Sequence, residues 1–485
     1  HTVVVMARHP GNSDQALGWL AADDPAALVG LGRKLPHYGR YSYLAFTGSG
    51  PDNVLKGQWA VLDSPLSVIL ADAAGPARLA PRTPLAAPQT LFSTTRMQRD
   101  IALLASESLQ GRGPGTPGLD QAADYIAAQF KAAVLQPGAA GGDAFLQSWE
   151  VPEDEPRPGA MLKNVIGILP GNDPRRAGES LVIGAHYDHL GYGETGARAE
   201  DRGRLHPGAD DNASGVAVML ELARVLAGQP RPRSIVFVAF TGEETGRQGS
   251  RHYLEQAAAV GYPVEKMIAM LNLDTVGRLG EQPLTVFGTG TADEWVHILR
   301  GAGYVTGVPV RQLADDIGSS DQTSFIAAGV PAVQFFSGVH ADFHRPGDTP
   351  EAIDAAGLVK VARVLKETAD YLARRPRPLS AMPGGTQQGI AATAVETPRR
   401  VSLGTLPDYG WSGAGVRLDG VSAGTPAAQA GLEAGDVILE LNETVVNNLR
   451  DYSRALKQLT PGDELRIRSR RNGAEARATA RVVDR

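Results

Sequence analysis

Apolar positions along the chain take two recurring forms. The first is a short, nearly uninterrupted apolar run, at Asn164 to Ile168, Leu181 to Ala185, Ser234 to Phe240, Met267 to Leu273, Leu284 to Phe287 and Ala332 to Phe336. Runs of this kind, rich in Val, Ile and Phe and bounded by polar clusters, predict strands buried on both faces. The second form is apolar spacing at three and four residues, which predicts helices at Met97 to Leu104, Leu119 to Phe130, Ala213 to Leu226 and Ala355 to Leu372. Strands alternating with helices imply a sheet covered on both sides, an α/β sandwich with a mostly parallel sheet.

The pattern changes at both ends. Thr2 to Met6 reads as a strand, Ser13 to Leu31 as an amphipathic helix, and Tyr41 to Phe46 and Trp59 to Leu62 as aromatic β segments. Together they predict a small N-terminal α/β module. Pro76 to Pro88 is rich in Pro and Ala without apolar period and reads as a connection, placing a boundary near residue 90. Arg375 to Arg400 has the same character and predicts a tether spanning roughly 28 Å. Beyond it, short strands at Gly415 to Leu418, Asp436 to Leu441, Glu464 to Arg470 and Glu475 to Val483, with helices at Pro426 to Ala430 and Asn448 to Gln458, predict a third domain. The expected division is 1–90, 91–374, 375–400 and 401–485, without internal repeats. A chain that opens on His1-Thr2-Val3-Val4-Val5-Met6 is expected to be a processed one.

Charge and composition narrow the partners. A net charge of -6, from 47 basic and 53 acidic residues, gives no basic field to attract nucleic acid. No apolar run approaches the roughly 20 residues of a membrane-spanning helix. The 485 residues contain no cysteine, so disulfides and thiolate metal sites are excluded and any metal must be held by His, Asp and Glu.

Those residue types cluster where the predicted strands end. His186-Tyr187-Asp188-His189 follows one, Thr241-Gly242-Glu243-Glu244 the next, and Asp274 a third. In a mostly parallel sheet the carboxyl ends of strands share one edge, where such folds place ligand sites. Gly208-Ala209-Asp210-Asp211-Asn212-Ala213-Ser214-Gly215 opens a helix, and Asp342-Phe343-His344-Arg345-Pro346-Gly347-Asp348-Thr349 forms a loop. Three carboxylates and two imidazoles in one pocket would repel and be poorly solvated, and two divalent cations would compensate that charge. Oxygen and imidazole donors without sulfur point first to zinc, with cobalt or manganese as alternatives. Singly, each residue has a structural explanation, such as a helix cap for Asp-Asp-Asn. His189, His206, His252 and His340 are read as structural.

With these motifs, from Leu104-Ala105-Ser106-Glu107-Ser108-Leu109-Gln110-Gly111-Arg112 to the last helix near residue 373, the sequence resembles the co-catalytic zinc exopeptidases typified by bacterial leucyl aminopeptidases and glutamate carboxypeptidase. The resemblance implies a zinc-exopeptidase-type α/β sandwich with a central mixed, mostly parallel sheet. It implies that His186 and Asp274 bind one zinc, Glu244 and His344 the other, and that Asp211, rather than Asp210, bridges them. Asp188 would orient His186 through its second imidazole N–H, and Glu243 would be the general base acting on a metal-bridging water. Two positions depart from the family pattern. Phe343 stands where a tyrosine often precedes the last ligand, leaving Tyr187 or Tyr253 to supply an oxyanion donor, and Gln322 stands where a histidine is common.

The C-terminal segment resembles a PDZ domain of the bacterial protease-associated type, through Val421-Ser422-Ala423-Gly424-Thr425-Pro426-Ala427 and Ala430-Gly431-Leu432-Glu433-Ala434-Gly435-Asp436-Val437-Ile438. That resemblance implies binding of a peptide C-terminus at Leu403-Gly404-Thr405. The expected function is a di-zinc aminopeptidase acting on peptides, periplasmic or secreted like its bacterial relatives. A carboxypeptidase, an aminoacyl cyclase and a catalytically weak peptide-binding protein are the alternatives on the same scaffold.

Overall fold

A computed structural model describes residues 1–9, 11–59, 91–139, 144–194, 196–316, 318, 320–380, 400–408, 411, 413–422 and 424–484. Two compact units are present, His1–Thr90 and Leu91–Arg485. The expected connection at Pro76 to Pro88 lies outside the described residues.

The first unit contains β1 (Thr2–His9), β2 (Asn12–Ala22), α1 (Ala27–Lys34), β3 (Tyr43–Thr47) and β4 (Asp52–Gly57), in an antiparallel sheet of order β2-β1-β3-β4. Leu31 of α1 packs on Leu44 and Phe46 of β3 to form its small core. Here the expected helix from Ser13 to Leu31 is corrected. Its first part is a strand, with Leu17, Trp19 and Ala21 opposite Ala7, Val5 and Val3 of β1. The Ala and Leu content favours a helix, but pairing with a valine-rich strand overrides that weak preference. The helix begins only after Asp23-Asp24-Pro25.

The second unit starts with α2 (Thr94–Leu104), α3 (Pro117–Ala132), β5 (Gln136–Pro137), β6 (Leu146–Glu150), β7 (Met161–Leu169) and β8 (Ser180–His186). It continues with α4 (Gly215–Ala227), β9 (Ser234–Phe240), α5 (Gln248–Gln256), β10 (Met267–Leu273), β11 (Leu284–Phe287) and α6 (Trp295–Thr306). Then follow β12 (Val310–Gln312), α7 (Gln322–Ala327), β13 (Ala332–Phe336) and α8 (Ala355–Arg374). The sheet runs β12-β11-β13-β10-β8-β9-β7-β5, with β6 on β7. Its central four strands, β13, β10, β8 and β9, are mutually parallel, and β11 and β7 flank them antiparallel.

Every residue of these four central strands is buried, as the continuous apolar runs require. One face of the sheet, with Leu181, Ile183, Phe237 and Leu271, packs against α2, α3, α4, α6 and α8. The other, with Val182, Val238, Phe240 and Met270, packs against Tyr253 of α5 and Phe325 of α7. Because the strands are parallel and in register, with His186 opposite Phe240 and Leu273 opposite Phe335, their carboxyl ends deliver four chain segments to one edge.

Residues 375–380, assigned by composition to the tether, pack on this domain. Leu379 joins the main core, and Glu294 accepts from Ser380 N at 3.0 Å and from Arg375 Nη2 at 2.9 Å. Residues 381–399 lie outside the described residues.

The C-terminal domain comprises β14 (Val401–Ser402), β15 (Thr405–Pro407), β16 (Val416–Val421), α9 (Pro426–Gln429), β17 (Val437–Leu441), β18 (Thr444–Val445), α10 (Leu449–Lys457), β19 (Glu464–Arg471), β20 (Ala474–Arg481) and β21 (Val483–Asp484). Its main sheet runs β15-β16-β17-β19-β20, with β15 at one edge. Leu403, Ile438, Leu456 and Ile467 lie in a core of its own.

Candidate metal centre

His186 is the last residue of β8, Glu243 and Glu244 follow β9, Asp274 follows β10 and His344 lies in the loop after β13. Asp211 comes from the turn before α4. Gly208 shapes that turn: its φ is +59°, and a Cβ there would run into the carbonyl of Asp211 and the ring of His189.

Asp211 sits between two groups. Its Oδ1 is 3.3 Å from His186 Nε2, which is itself 3.6 Å from Asp274 Oδ1. Its Oδ2 is 3.0 Å from His344 Nε2, which is 3.4 Å from Glu244 Oε2. The five residues expected as ligands are thus brought together, with one carboxylate facing both halves. Asp210 points elsewhere: its Oδ1 accepts from Ser214 Oγ at 3.0 Å and its Oδ2 faces His340 Nε2 at 3.2 Å.

The donor set fits divalent cations. Ligating atoms of His186, Asp211 and Asp274 lie within 4.8 Å of one another, and so, as a separate trio, do those of His189, Asp211 and Glu244. All are withdrawn from water, where uncompensated carboxylates are costly. The titration behaviour reflects that crowding. Burial favours the protonated form of Asp211, but His186 and His344 reverse this and hold its carboxyl well below the usual range. Burial disfavours the imidazolium of His186, yet hydrogen bonds to Asp211 and Asp274 hold it well above the ordinary histidine value. Positive charge is what these carboxylates lack, and a cation supplies it.

Glu243 makes none of these close contacts. Burial, with Glu244, Asp321 and Asp274 nearby, pushes its carboxyl well above the normal range, against the pull of His186. Asp321, just before α7, is fully buried, and burial pushes it up to about 7.

Asp188 behaves differently from the expectation that its carboxylate holds His186. His186 Nδ1 is 3.1 Å from the backbone carbonyl of Asp188 and 3.8 Å from its Oδ1. The carboxylate instead accepts from the N–H groups of Glu243 at 3.2 Å and Glu244 at 3.3 Å. It therefore anchors the loop that carries both glutamates, while the chain itself orients the imidazole. Burial raises Asp188 to about 6.

Neither tyrosine considered as an oxyanion donor is placed for it. Tyr187 donates its hydroxyl to the Lys163 carbonyl at 2.5 Å, and Tyr253 packs against Phe240 and Phe325 in the cluster on the α5 and α7 side of the sheet. The Phe343 ring stacks on His344 with centroids 4.2 Å apart. Gln322 is explained by its surroundings: it accepts from Asn272 Nδ2 at 3.0 Å and donates to Asp316 at 2.8 Å and Gln334 at 3.1 Å. An amide donates and accepts at once, so it satisfies this buried network behind β10.

Three participants were not identified from the sequence. His189 is buried, with Nδ1 2.9 Å from Glu244 Oε1, so imidazoles approach both oxygens of that carboxylate. Arg112 is buried and donates to the carbonyls of Tyr187 at 2.7 Å, Pro207 at 2.8 Å, Gly208 at 2.8 Å and also Leu104, tying the end of β8 to the turn before Asp211. Burial lowers its pKa to about 10, against four nearby carboxylates. Asp348 accepts from the N–H groups of Asp210 and Asp211 at 3.0 Å and from Arg278 at 2.9 Å. Only the Gly111-Arg112 pair and the Asp348 that follows the His344 loop hinted at the last two.

A parallel-stranded α/β sandwich with a carboxylate shared between two imidazole-containing clusters at the strand ends defines a metallohydrolase-type centre. The profile of peptidase family M28 matches residues 164–369, and that of the PDZ domain matches residues 389–482. The chain belongs to peptidase family M28 and carries a C-terminal PDZ domain. It is 32% identical over 242 residues to the uncharacterized protein YfbL of Escherichia coli (strain K12), covering 43% of this chain and 71% of YfbL. It is 30% identical over 212 residues to aminopeptidase YwaD of Bacillus subtilis (strain 168), covering 40% of this chain and spanning 41% of YwaD. Among solved structures, BSAP, a zinc aminopeptidase from Bacillus subtilis, aligns with 59% of this chain and 97% of its own at 19% identity and a TM-score of 0.47.

Proposed function

We propose that this chain is a zinc-dependent aminopeptidase that removes N-terminal residues from peptides. The observation that carries the reading is Asp211, whose two oxygens face the His186–Asp274 and Glu244–His344 halves of one buried cluster. His186, Asp211 and Asp274 would hold one zinc, and Asp211, Glu244 and His344 a second. Bound zinc supplies Lewis-acid polarisation of the scissile carbonyl and acidifies water at the site. Glu243, adjacent to a ligand but outside both trios, takes the proton from the attacking water and delivers it to the leaving amine. Its raised affinity for a proton suits that return step. Asp188 fixes the backbone of Glu243, so the base is held by the same carboxylate that anchors Glu244. In the PDZ domain, Leu403, Gly404 and Thr405 would receive a peptide C-terminus.

Glu243→Gln is expected to lower kcat at least 100-fold without changing the zinc content measured by mass spectrometry. Peptides with a free N-terminus should be cleaved and their N-acetylated forms spared. Cleavage of the acetylated forms would favour a carboxypeptidase, and ring closure without hydrolysis an aminoacyl cyclase. Phe343 favours one further reading, a metal-binding protein with weak turnover, because its ring carries no hydroxyl beside His344. Absence of cleavage across a peptide library at full zinc occupancy would support that reading.

A further inference from the structure

His344 holds its backbone in the left-handed region, with φ +56°. A residue with a Cβ stays there only where its surroundings impose it, and such positions gather at functional sites. Part of the constraint is local. Phe343 N donates to the His340 carbonyl at 3.2 Å, Arg345 N to the Asp342 carbonyl at 2.9 Å and Asp348 N to the Arg345 carbonyl at 3.1 Å. These bonds curl the loop, and the side chains on either flank of His344 tie it to other segments. Asp342 accepts from Arg278 Nη1 at 2.9 Å, and Arg345 donates its Nε to Asp201 Oδ2 at 3.0 Å.

Asp201 lies in the segment that joins His189 to Asp211. It is 1% exposed, and its Oδ1 accepts from Arg204 Nη1 at 2.6 Å, so each oxygen has an arginine. Asp201 N donates to the Arg198 carbonyl at 2.9 Å, and Arg204 N to the Asp201 carbonyl at 3.2 Å. The segment is closed at its base. Gly203 N donates to the Tyr192 carbonyl at 2.8 Å, His206 N to the Gly191 carbonyl at 2.9 Å and Gly191 N to the Gly111 carbonyl at 3.1 Å. A Cβ at Gly193 would lie 2.6 Å from His206 Cε1, so the two strands of the loop meet closely. Asp201 is thus a fixed acceptor. Arg345 is 31% exposed and could otherwise turn to water, since its second partner, Glu200 at 3.4 Å, is 60% exposed.

We propose, on the reading of the cluster as a two-zinc centre, that Asp201 positions His344 through Arg345 and so sets how tightly the Glu244–His344 half holds its cation. The other half does not share this dependence. His186 ends β8 and Asp274 directly follows β10, and both strands are buried throughout, so the sheet fixes these two ligands. One half is built on strand ends. The other relies on a loop whose backbone is imposed by a carboxylate 144 residues away from Arg345.

The test titrates zinc against a chelator on the full chain and resolves the two equivalents. The equivalent that His344→Ala abolishes marks the Glu244–His344 half. Asp201→Asn is expected to weaken that equivalent roughly 10- to 100-fold, as loss of a partner behind a metal ligand does, and to leave the other unchanged. Arg345→Gln, at a side chain that water already reaches, should weaken the same equivalent. The double variant should lose no more than either single one, because both break one contact. With cobalt in place of zinc, the visible absorption of that equivalent should shift in both variants and that of the other should not. Should Asp201→Asn fail to fold, Arg345→Gln decides alone. Unchanged affinity or an unshifted spectrum in either folded variant, equal loss at both equivalents, or additive losses in the double variant overturns the inference and leaves the zinc centre in place. An unsubstituted chain that binds fewer than two equivalents overturns that underlying reading as well.

Discussion

His189 shows how much a single side chain's neighbours decide. Its ring is withdrawn from water and its Nδ1 approaches Glu244 Oε1, leaving Oε2 toward His344. A partner that fixes a carboxylate ligand typically changes metal affinity 10- to 100-fold, roughly, when removed. On the proposed two-zinc reading, His189→Gln is therefore expected to weaken zinc binding at the Glu244–His344 half by at least about tenfold, as measured by competition with a chelator, while the His186–Asp274 half stays unchanged. Equal loss at both sites would make His189 a general packing residue instead.

The elements that surround the centre are held by buried charge as well as by apolar packing. Glu221 on α4 accepts from Arg96 Nε of α2 at 2.9 Å and from Ser93 N at 2.7 Å, and Arg224 of α4 reaches Asp100 of α2 at 2.7 Å. Burial favours protonated Glu221, but the Arg96 and Ser93 hydrogen bonds outweigh it and the net shift is downward. A carboxyl held below its unfolded value, about 4.3, stabilises the fold above that pH, and this stabilisation is lost as pH falls through the folded value. Glu221→Gln should cost about 1–3 kcal/mol at pH 7 by denaturant unfolding. The gap between the two proteins should close as the pH is lowered below 4.3, the approximate unfolded value. A gap that does not narrow at all as the pH falls would assign the effect to packing. Local sequence shows α2 and α4 as helices with apolar faces, but not this link, because its partners lie 125 residues apart.

At the scale of the whole molecule, the metal centre and the PDZ domain have separate cores. Ligand binding stabilises what binds it by about 4 kcal/mol at a thousandfold excess over Kd. Chelation is thus expected to lower the melting transition of the peptidase domain and leave that of the PDZ domain in place, as read by calorimetry. A joint downward shift would mean that the two unfold together. Removing the PDZ domain is best done after Ser380, because Leu379 belongs to the peptidase core. That truncation should change kcat/KM for longer peptides and leave dipeptides alike. An equal change for both would separate the PDZ domain from substrate capture.

The sequence alone determined the elements whose signal is local. Met267–Leu273 and Ala332–Phe336 are strands because apolar runs buried on both faces can be little else, and the polar clusters that end such runs point to the edge where His186, Glu244 and Asp274 meet. What only the tertiary structure decided depends on partners distant in the chain. Asn12–Ala22 is a strand because β1 pairs with it, and residues 375–380 are ordered because the peptidase core receives Leu379. Asp188 faces the glutamate loop rather than the imidazole, and His189 stands at Glu244, because β8 and β9 lie side by side and bring their ends together. Residue type and spacing specify which groups can bind a cation. The direction in which each one points is set by packing and hydrogen bonds across the sheet, which no local pattern contains.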